Sequence, residues 1–309
     1  MRDRFRVLND DSFDAIVVGA GLGGLTAAAL LAHEGRKVLV LDQHYVAGGN
    51  ATIFRRRGYE FDVGVHYIGE CSKDGMLTRI LRAAGVGDIE FEELDPDGYD
   101  TLVFPDFTFK VPRGIDLFRD RLCAQFPAER RGIDRYIAFL RQLDIAMGMS
   151  SNPVSALLTL PRITSVLRLS NKTFGELLDS CTTDIRLKAV LAAQNGDYGL
   201  PPSRASALIG GGIALHYLKG AYYPKGGGQV IADRLAEEIE RRGGTIMLRS
   251  HVERIIAHDG VVEGVEFSNR HLGRRIVRAP IVISNADLKR TMNELVGREN
   301  LSASTIDRV

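Results

Sequence analysis

The chain has 309 residues, enough for one large domain or two ordinary ones, and its 45% hydrophobic and 26% charged content is that of a globular protein able to bury a sizeable core. Its 40 lysines and arginines nearly cancel 39 aspartates and glutamates, which removes the electrostatic footprint expected of a nucleic-acid binder or of a site for strongly acidic substrates. Cys71, Cys123 and Cys181 stand far apart, with no CxxC pair and no Cys/His spacing for zinc, so reduced thiols and no metal site are expected.

The opening run MRDRFRVLND lacks the apolar core of a signal peptide, and no apolar run approaches the roughly 18 residues of a membrane span. A cytoplasmic chain is expected, with peripheral contact at a membrane surface left open. Residues 15–18 form a short continuous apolar run that ends in glycines, the pattern of a buried parallel strand feeding a tight turn. Residues 22–33 are mostly alanine and leucine and predict a helix, which Gly35 stops. Residues 37–42 read as a second parallel strand, completing a right-handed βαβ crossover.

Between strand and helix lies GAGLGG, with Gly19, Gly21 and Gly24 at the fingerprint positions of a dinucleotide loop. Gly19 makes the turn off the strand, Gly21 clears the backbone for a pyrophosphate, and Gly24 lets the helix pack closely on the sheet. Phosphates would then sit on the free N–H groups of the helix N-terminus, beside Leu22 and Gly23. Asp42 follows Gly24 by 42 − 24 = 18 residues and ends the second strand, where a carboxylate accepts from ribose hydroxyls. A lone GxGxxG is weak evidence, but strand, loop, helix, second strand and terminal acid agree here. The unit alone does not separate FAD from a nicotinamide dinucleotide.

Beyond it, residues 73–217 change character, with amphipathic helical stretches such as 131–143 interrupted by Pro153, Pro161, Pro201 and Pro202. They predict a largely helical insertion. Within it, residues 147–170 mix apolar residues with Arg162 and Arg168 and read either as a segment dipping into a membrane interface or as a buried helical cap. The glycines 210–212 suggest no role. From Lys219 the texture shifts to KGAYYPKGGGQ, followed by an amphipathic helix over 229–242 that Gly243 and Gly244 end. Strands are predicted over 245–250, 252–257 and 261–267, the last after the turn pair Asp259 and Gly260, with 275–284 as a return strand.

Three later segments carry a family resemblance. HYVAGGNATIFRRRGYEFDVGVHYIGE, from His44 to Glu70, resembles the second FAD motif of the amine oxidase and phytoene desaturase superfamily. Its phrase FDVGVHYIG is most similar to the branch of carotenoid desaturases, carotenoid isomerases and retinol saturases, in which the stretch lies beside the flavin ring. The block from Tyr222 to Ile255 resembles the segment returning from the substrate domain to the FAD domain, and VISNAD at 282–287 is also family-like. The resemblance implies an α/β fold: an FAD-binding Rossmann-like domain of the glutathione-reductase type over 1–72 plus 218–309, with a largely helical inserted substrate domain over 73–217. It implies FAD as cofactor, with the pair Gly48 and Gly49 bringing backbone close to it and the backbone of Val252 contacting the adenine. Two departures accompany it. The acid is usually glutamate, and Asp42 is shorter though still able to accept from ribose. Members run well beyond this length to a closing C-terminal motif that has no counterpart after Asp287, so a chain lacking that portion is expected.

The expected cofactor contacts are therefore Gly19, Gly21, Leu22, Gly23, Gly24, Asp42, Gln43, Gly48, Gly49, Asn50, Val65, His66 and Val252. His66 is the one catalytic candidate, able to tune a ring or handle a proton, and equally able to be structural. Asp62 reads as a residue that orients its turn. Asn50 and Thr52 either bond the cofactor or cap a loop. Tyr222 and Tyr223 either line a substrate entrance or pack, and the glycines 226–228 either admit a flat ring or form a flexible loop. The implied function is an FAD-dependent oxidoreductase acting on an apolar polyene, carotenoid or retinoid, by hydride transfer at flavin N5 in desaturation or saturation. The alternatives are a non-enzymatic lipid-binding protein of the same fold, as in Rab GDP-dissociation inhibitors, a nicotinamide dehydrogenase, or an inactive fragment. The expected partner is an apolar small molecule and not nucleic acid. The oligomeric state is open.

Overall fold

The computed structural model describes residues 12–148 and 160–308. Residues 1–11, and the part of the candidate interfacial stretch at 149–159 that includes Pro153, lie outside the described residues. The chain divides into two compact units. One holds the stretch ending at His66, Lys73–Glu92 and the stretch from Tyr223 onward; the other holds Tyr67–Ser72 and Glu93–Tyr222.

The first unit is built on a four-stranded parallel sheet. β1 (Ala15–Val18) and β2 (Val38–Leu41) are buried at every position, as their unbroken apolar runs require of strands covered on both faces. β1 lies between β2 and the strand Val282–Ser284, with Ile16 opposite Leu39 on one side and Val282 on the other. The strand Thr245–Met247 pairs with the far side of β2. α1 (Leu22–His33) crosses between β1 and β2 and buries Gly24, Leu25, Ala28, Ala29 and Ala32, a face of small residues spaced three and four apart that lets it lie close. Leu25 is completely buried, which removes apolar surface worth about 1.5–3 kcal/mol. The amphipathic helix Gln229–Arg241 packs on α1 through Ile231, Leu235 and Ile239 on its buried face.

An antiparallel three-stranded sheet, Ser250–His258, Val261–Asn269 and Gly273–Arg278, completes this unit and shares a core of Val252, Ile255, Val265, Phe267 and Val277 with Ile16 and Leu39. Asp259 (φ 50°) and Gly260 (φ 77°) turn its first hairpin as their sequence predicts. The expected return strand 275–284 is two strands. Its first part ends at Arg278 in the antiparallel sheet and its second begins at Val282 beside β1. Pro280, with no N–H to give a ladder, lies in the break.

The domain limits also differ from those read in the sequence. Residues 73–92, assigned there to the insertion, belong to the first unit. The helix Met76–Ala83 and its exit bury Leu81, Ala84 and Val86, Asp88 pairs with Arg234, and Gly85 lies so close to Glu238 that a Cβ there would meet its carboxylate at 2.5 Å. Residues 67–72 and 218–222 fall instead in the second unit. Ile68 and Gly69 pair there with Tyr222 and Ala221.

The second unit is largely helical, with one hairpin, Asp100–Val103 and Thr108–Val111. Arg130–Met147 is its central helix, burying Ile133, Tyr136, Ile137, Phe139, Leu140 and Leu143. Around it pack Phe174–Cys181, which starts in a capping box between Thr173 and Glu176, and Ala207–Leu218. Two of the glycines 210–212 mark close helix packing: a Cβ on Gly210 would stand 2.5 Å from the Phe174 ring, and one on Gly211 would stand 2.6 Å from Phe139, whereas one on Gly212 would meet nothing within 4 Å. No described helix is long and apolar enough to cross a membrane.

Candidate functional site

Within the first unit, at the carboxyl ends of β1 and β2, a cleft of about 500 Å³ opens over the start of α1. This is where an open parallel sheet binds ligands, since loops diverge there and helix N-termini converge. Gly19, Gly21, Leu22, Asp42, Gln43, Gly48, Gly49, Asn50, Val65 and Val252 all line it. Gly23 and Gly24 do not line it, and neither does His66, which is exposed one residue beyond Val65.

The two glycine loops hold each other. Gly48 donates its N–H to the Ala20 carbonyl at 2.7 Å and bridges to Gly21. A Cβ on Gly49 would come within 3.1 Å of the Gly21 Cα. Gly24 has the tightest requirement, because a Cβ there would stand 2.0 Å from the Gly19 carbonyl oxygen. Any side chain at 24 forces the loop off the helix. The N-cap of α1 is Gly21, with no side-chain cap and no acidic residue in the first turn. Gly21 and Leu22 bring the start of the helix to the cleft, and the partial positive charge of the helix end favours an anion there.

Asp42 is half-buried and already bonded by both oxygens: Oδ2 accepts from the Ala20 N–H at 2.6 Å and Oδ1 from the His44 N–H at 2.7 Å. It ties the first glycine loop to the exit of β2. A carboxylate oxygen has two lone pairs, so each retains one for a hydroxyl donor. Val252 buries its side chain in the core, leaving its main chain as the part that can meet a ligand. The ladder shifts register between Val252 and Arg254, a bulge that loosens backbone pairing beside the cleft.

Asp62 orients the phrase that carries Val65. Its Oδ1 accepts from the Gly228 N–H at 3.1 Å, and its Oδ2 accepts from the Tyr223 hydroxyl. Burial, together with this carboxylate, pushes the Tyr223 phenol up to about 12, so the hydroxyl remains a donor throughout the neutral range. Gly228 closes against the same phrase, a Cβ there meeting Asp62 at 2.7 Å and Val65 at 2.9 Å. Thr52 is buried with its hydroxyl on the Gly49 carbonyl at 3.0 Å, a loop cap.

Val18, Leu41, Ala51 and Gly64 also line the cleft, and so do Ser250, His251, Asn285, Ala286, Arg290 and Leu295, which the sequence did not reveal. Asn285 stands in the VISNAD run, where its amide lies over α1: a Cβ on Gly21 or Gly23 would meet it at 2.9 or 2.7 Å. Its main chain is fixed by the N–H donated to the Val18 carbonyl at 2.8 Å. Nothing local in the sequence marks His251 or Arg290. Among the described residues no group of histidines, cysteines or acids is placed to hold a metal.

These residues fit the adenosine diphosphate half of a dinucleotide. The cradle is built of glycines that a Cβ would fill, the helix end supplies donors for phosphates, and Asp42 keeps acceptors for ribose. Comparison with known proteins agrees. Residues 17–84 match the family described as NAD(P)-binding Rossmann-like domain. All-trans-retinol 13,14-reductase of Danio rerio is 33% identical over 309 aligned residues, covering 94% of this chain and 50% of that protein. Prolycopene isomerase 1, chloroplastic, of an Oncidium hybrid cultivar is 28% identical, covering 96% of this chain and 52% of that protein. Among solved structures, an oxidoreductase from Methanosarcina mazei superposes with a TM-score of 0.67 at 21% identity, covering 95% of this chain and 63% of that one, a likeness of fold. The chain spans about half the length of the curated relatives it matches. Over that half it is a homologue of the all-trans-retinol 13,14-reductases and prolycopene isomerases, carrying a NAD(P)-binding Rossmann-like domain with a largely helical insertion.

Proposed function

We propose that the chain serves an FAD-dependent oxidoreductase acting on an apolar polyene of the carotenoid or retinoid kind. The observation that carries this reading is the convergence of two interlocked glycine loops, an acid at the end of β2 and the bulged strand at Val252 on one cleft, in a chain whose relatives bear the names of polyene enzymes. FAD, when bound, supplies the two-electron chemistry at N5, taking a hydride in desaturation or giving one in saturation.

The chain's own residues hold and orient. The leading N–H groups of α1 receive the pyrophosphate, aided by the absence of side chains at Gly19 and Gly21. The remaining lone pairs of Asp42 accept ribose hydroxyls, and the main chain at Val252 meets the adenine. Asn50 and Gln43 border the same cleft. The Asp62 bonds to Tyr223 and Gly228 fix the phrase bearing Val65 and His66. His66, exposed at its end, is the candidate for proton handling. The reading includes a cytoplasmic protein that approaches a membrane peripherally to collect a water-insoluble substrate, which vesicle flotation would detect.

The test is spectroscopic. Purified protein with FAD, offered all-trans-retinol or a carotenoid anaerobically with and without reductant, is expected to shift the polyene absorption band in a manner that requires FAD. An unchanged band under both redox conditions, with flavin bound, would contradict the proposed chemistry while sparing the cofactor assignment.

A further inference from the structure

The cleft has an electrostatic requirement that its glycine loops do not meet. A dinucleotide's pyrophosphate carries two negative charges, whereas a helix end offers the equivalent of about half a positive one. Asp42, on the same lining, adds a negative charge. Among the described residues that line the cleft, Arg290 is the only lysine or arginine.

Its placement is built from both sides. The strand Val282–Ser284 ends beside β1, the Asp287 carboxylate accepts from the Arg290 N–H at 2.9 Å, and the Thr291 N–H donates to the Asp287 carbonyl at 2.8 Å. These bonds start the short helix Leu288–Arg290 and direct residue 290 back to the cleft. The guanidinium Nη2 lies 3.4 Å from His251 Nε2, and His251 Nδ1 lies 3.1 Å from Gln43 Oε1. With the His251 Nδ1–H donating to Gln43, its Nε2 lone pair accepts from Arg290, so one consistent tautomer links the exit of β2, the bulged strand and residue 290. The guanidinium also pairs with Glu294, 3.3 Å from Nε and 67% exposed, a pairing that solvent weakens. A guanidinium has five donors, and these two contacts leave others for a ligand.

From this geometry we infer that Arg290 is a phosphate anchor of the cleft, positioned by His251 and Gln43. The inference rests on the dinucleotide reading above and adds to it a residue 248 positions beyond the ribose-side acid, Asp42 (290 − 42). It separates the roles along the cleft: Val252 and Asp42 serve the nucleoside, and Arg290 joins the start of α1 in serving the phosphates.

Calorimetric titration of the full chain with ADP and with adenosine, in the wild type and in Arg290→Gln and Arg290→Lys, tests it. Arg290→Gln is expected to weaken ADP by roughly tenfold to a hundredfold, the range for a lost charge-assisted bond, and to leave adenosine unchanged. Arg290→Lys, keeping charge without the fork, should fall between. Raising salt should weaken ADP in the wild type more steeply than in Arg290→Gln. His251→Ala should lower ADP affinity in the wild type and add little on top of Arg290→Gln, the mark of a positioning residue. Equal ADP affinity in wild type and Arg290→Gln, or equal proportional loss of ADP and adenosine, would overturn the assignment of Arg290 alone. Failure of the wild type to bind either ADP or FAD would overturn the dinucleotide reading and this inference with it.

Discussion

Glycines at 24 and 49 in the first unit hold main chain against main chain, Gly48 bonds the Ala20 carbonyl, and an open cleft lies beside them, whereas Gly210 and Gly211 in the second unit hold main chain against aromatic rings. The residue type and even the local run of glycines are alike. What differs is the element that carries them: the first turn of an uncapped helix that follows a buried parallel strand, and the loop after β2 that docks on it, in one case; the middle of the helix Ala207–Leu218 in the other. A glycine run therefore points to a ligand only in its strand, loop and helix setting, and elsewhere it measures how closely helices must pack.

Substitutions should separate the two roles. The largest effect is expected from Gly24→Ala, whose Cβ would stand 2.0 Å from a backbone oxygen that cannot rotate away. It should cost about 3 kcal/mol by thermal or urea unfolding and remove ADP binding. Gly210→Ala meets a ring, Phe174, at 2.5 Å. It should cost about 1–3 kcal/mol while leaving ADP affinity unchanged; lost ADP affinity there would erase the contrast. Asp42→Asn puts an NH₂ group against one of two backbone N–H donors. A loss of about 1–3 kcal/mol of stability, together with weaker adenosine binding by calorimetry, is expected.

The smallest effect is expected from pH. Hydrogen bonds from Arg241, and then Arg242, hold the buried Glu238 carboxyl below the ordinary glutamate range on the helix that backs α1. A depressed carboxyl stabilises the fold above its unfolded value, and that contribution is lost as pH falls through the folded value. Thermal melts should therefore favour the wild type over Glu238→Gln by about 1 kcal/mol near neutrality, the two curves converging in acid. Parallel curves at all pH values would contradict the role given to this carboxylate.

The βαβ unit was legible because it is encoded locally: β1 and β2 are unbroken apolar runs, and α1 carries alanines and leucines after GAGLGG. The resemblance supplied Gly48, Gly49 and Val252, all of which line the cleft. The return strand was misread because its hydrophobic pattern continues through Pro280, where the backbone changes sheets. Residues 73–92 were misplaced because the contacts that hold them, Asp88 with Arg234 and Gly85 against Glu238, join positions about 150 residues apart. Asn285, His251 and Arg290 were missed for the same reason. Each reaches the cleft from a strand end or turn whose position only the assembled sheet determines, and no spacing within the sequence expresses that.

On the reading proposed here the cleft over α1 holds an adenine dinucleotide. Titrating the purified chain into FAD while following flavin fluorescence tests it most directly. A saturable change at one FAD per chain, reversed by ADP through competition, is the expected result. An unchanged flavin signal with excess folded protein, or a signal that ADP does not displace, would contradict it.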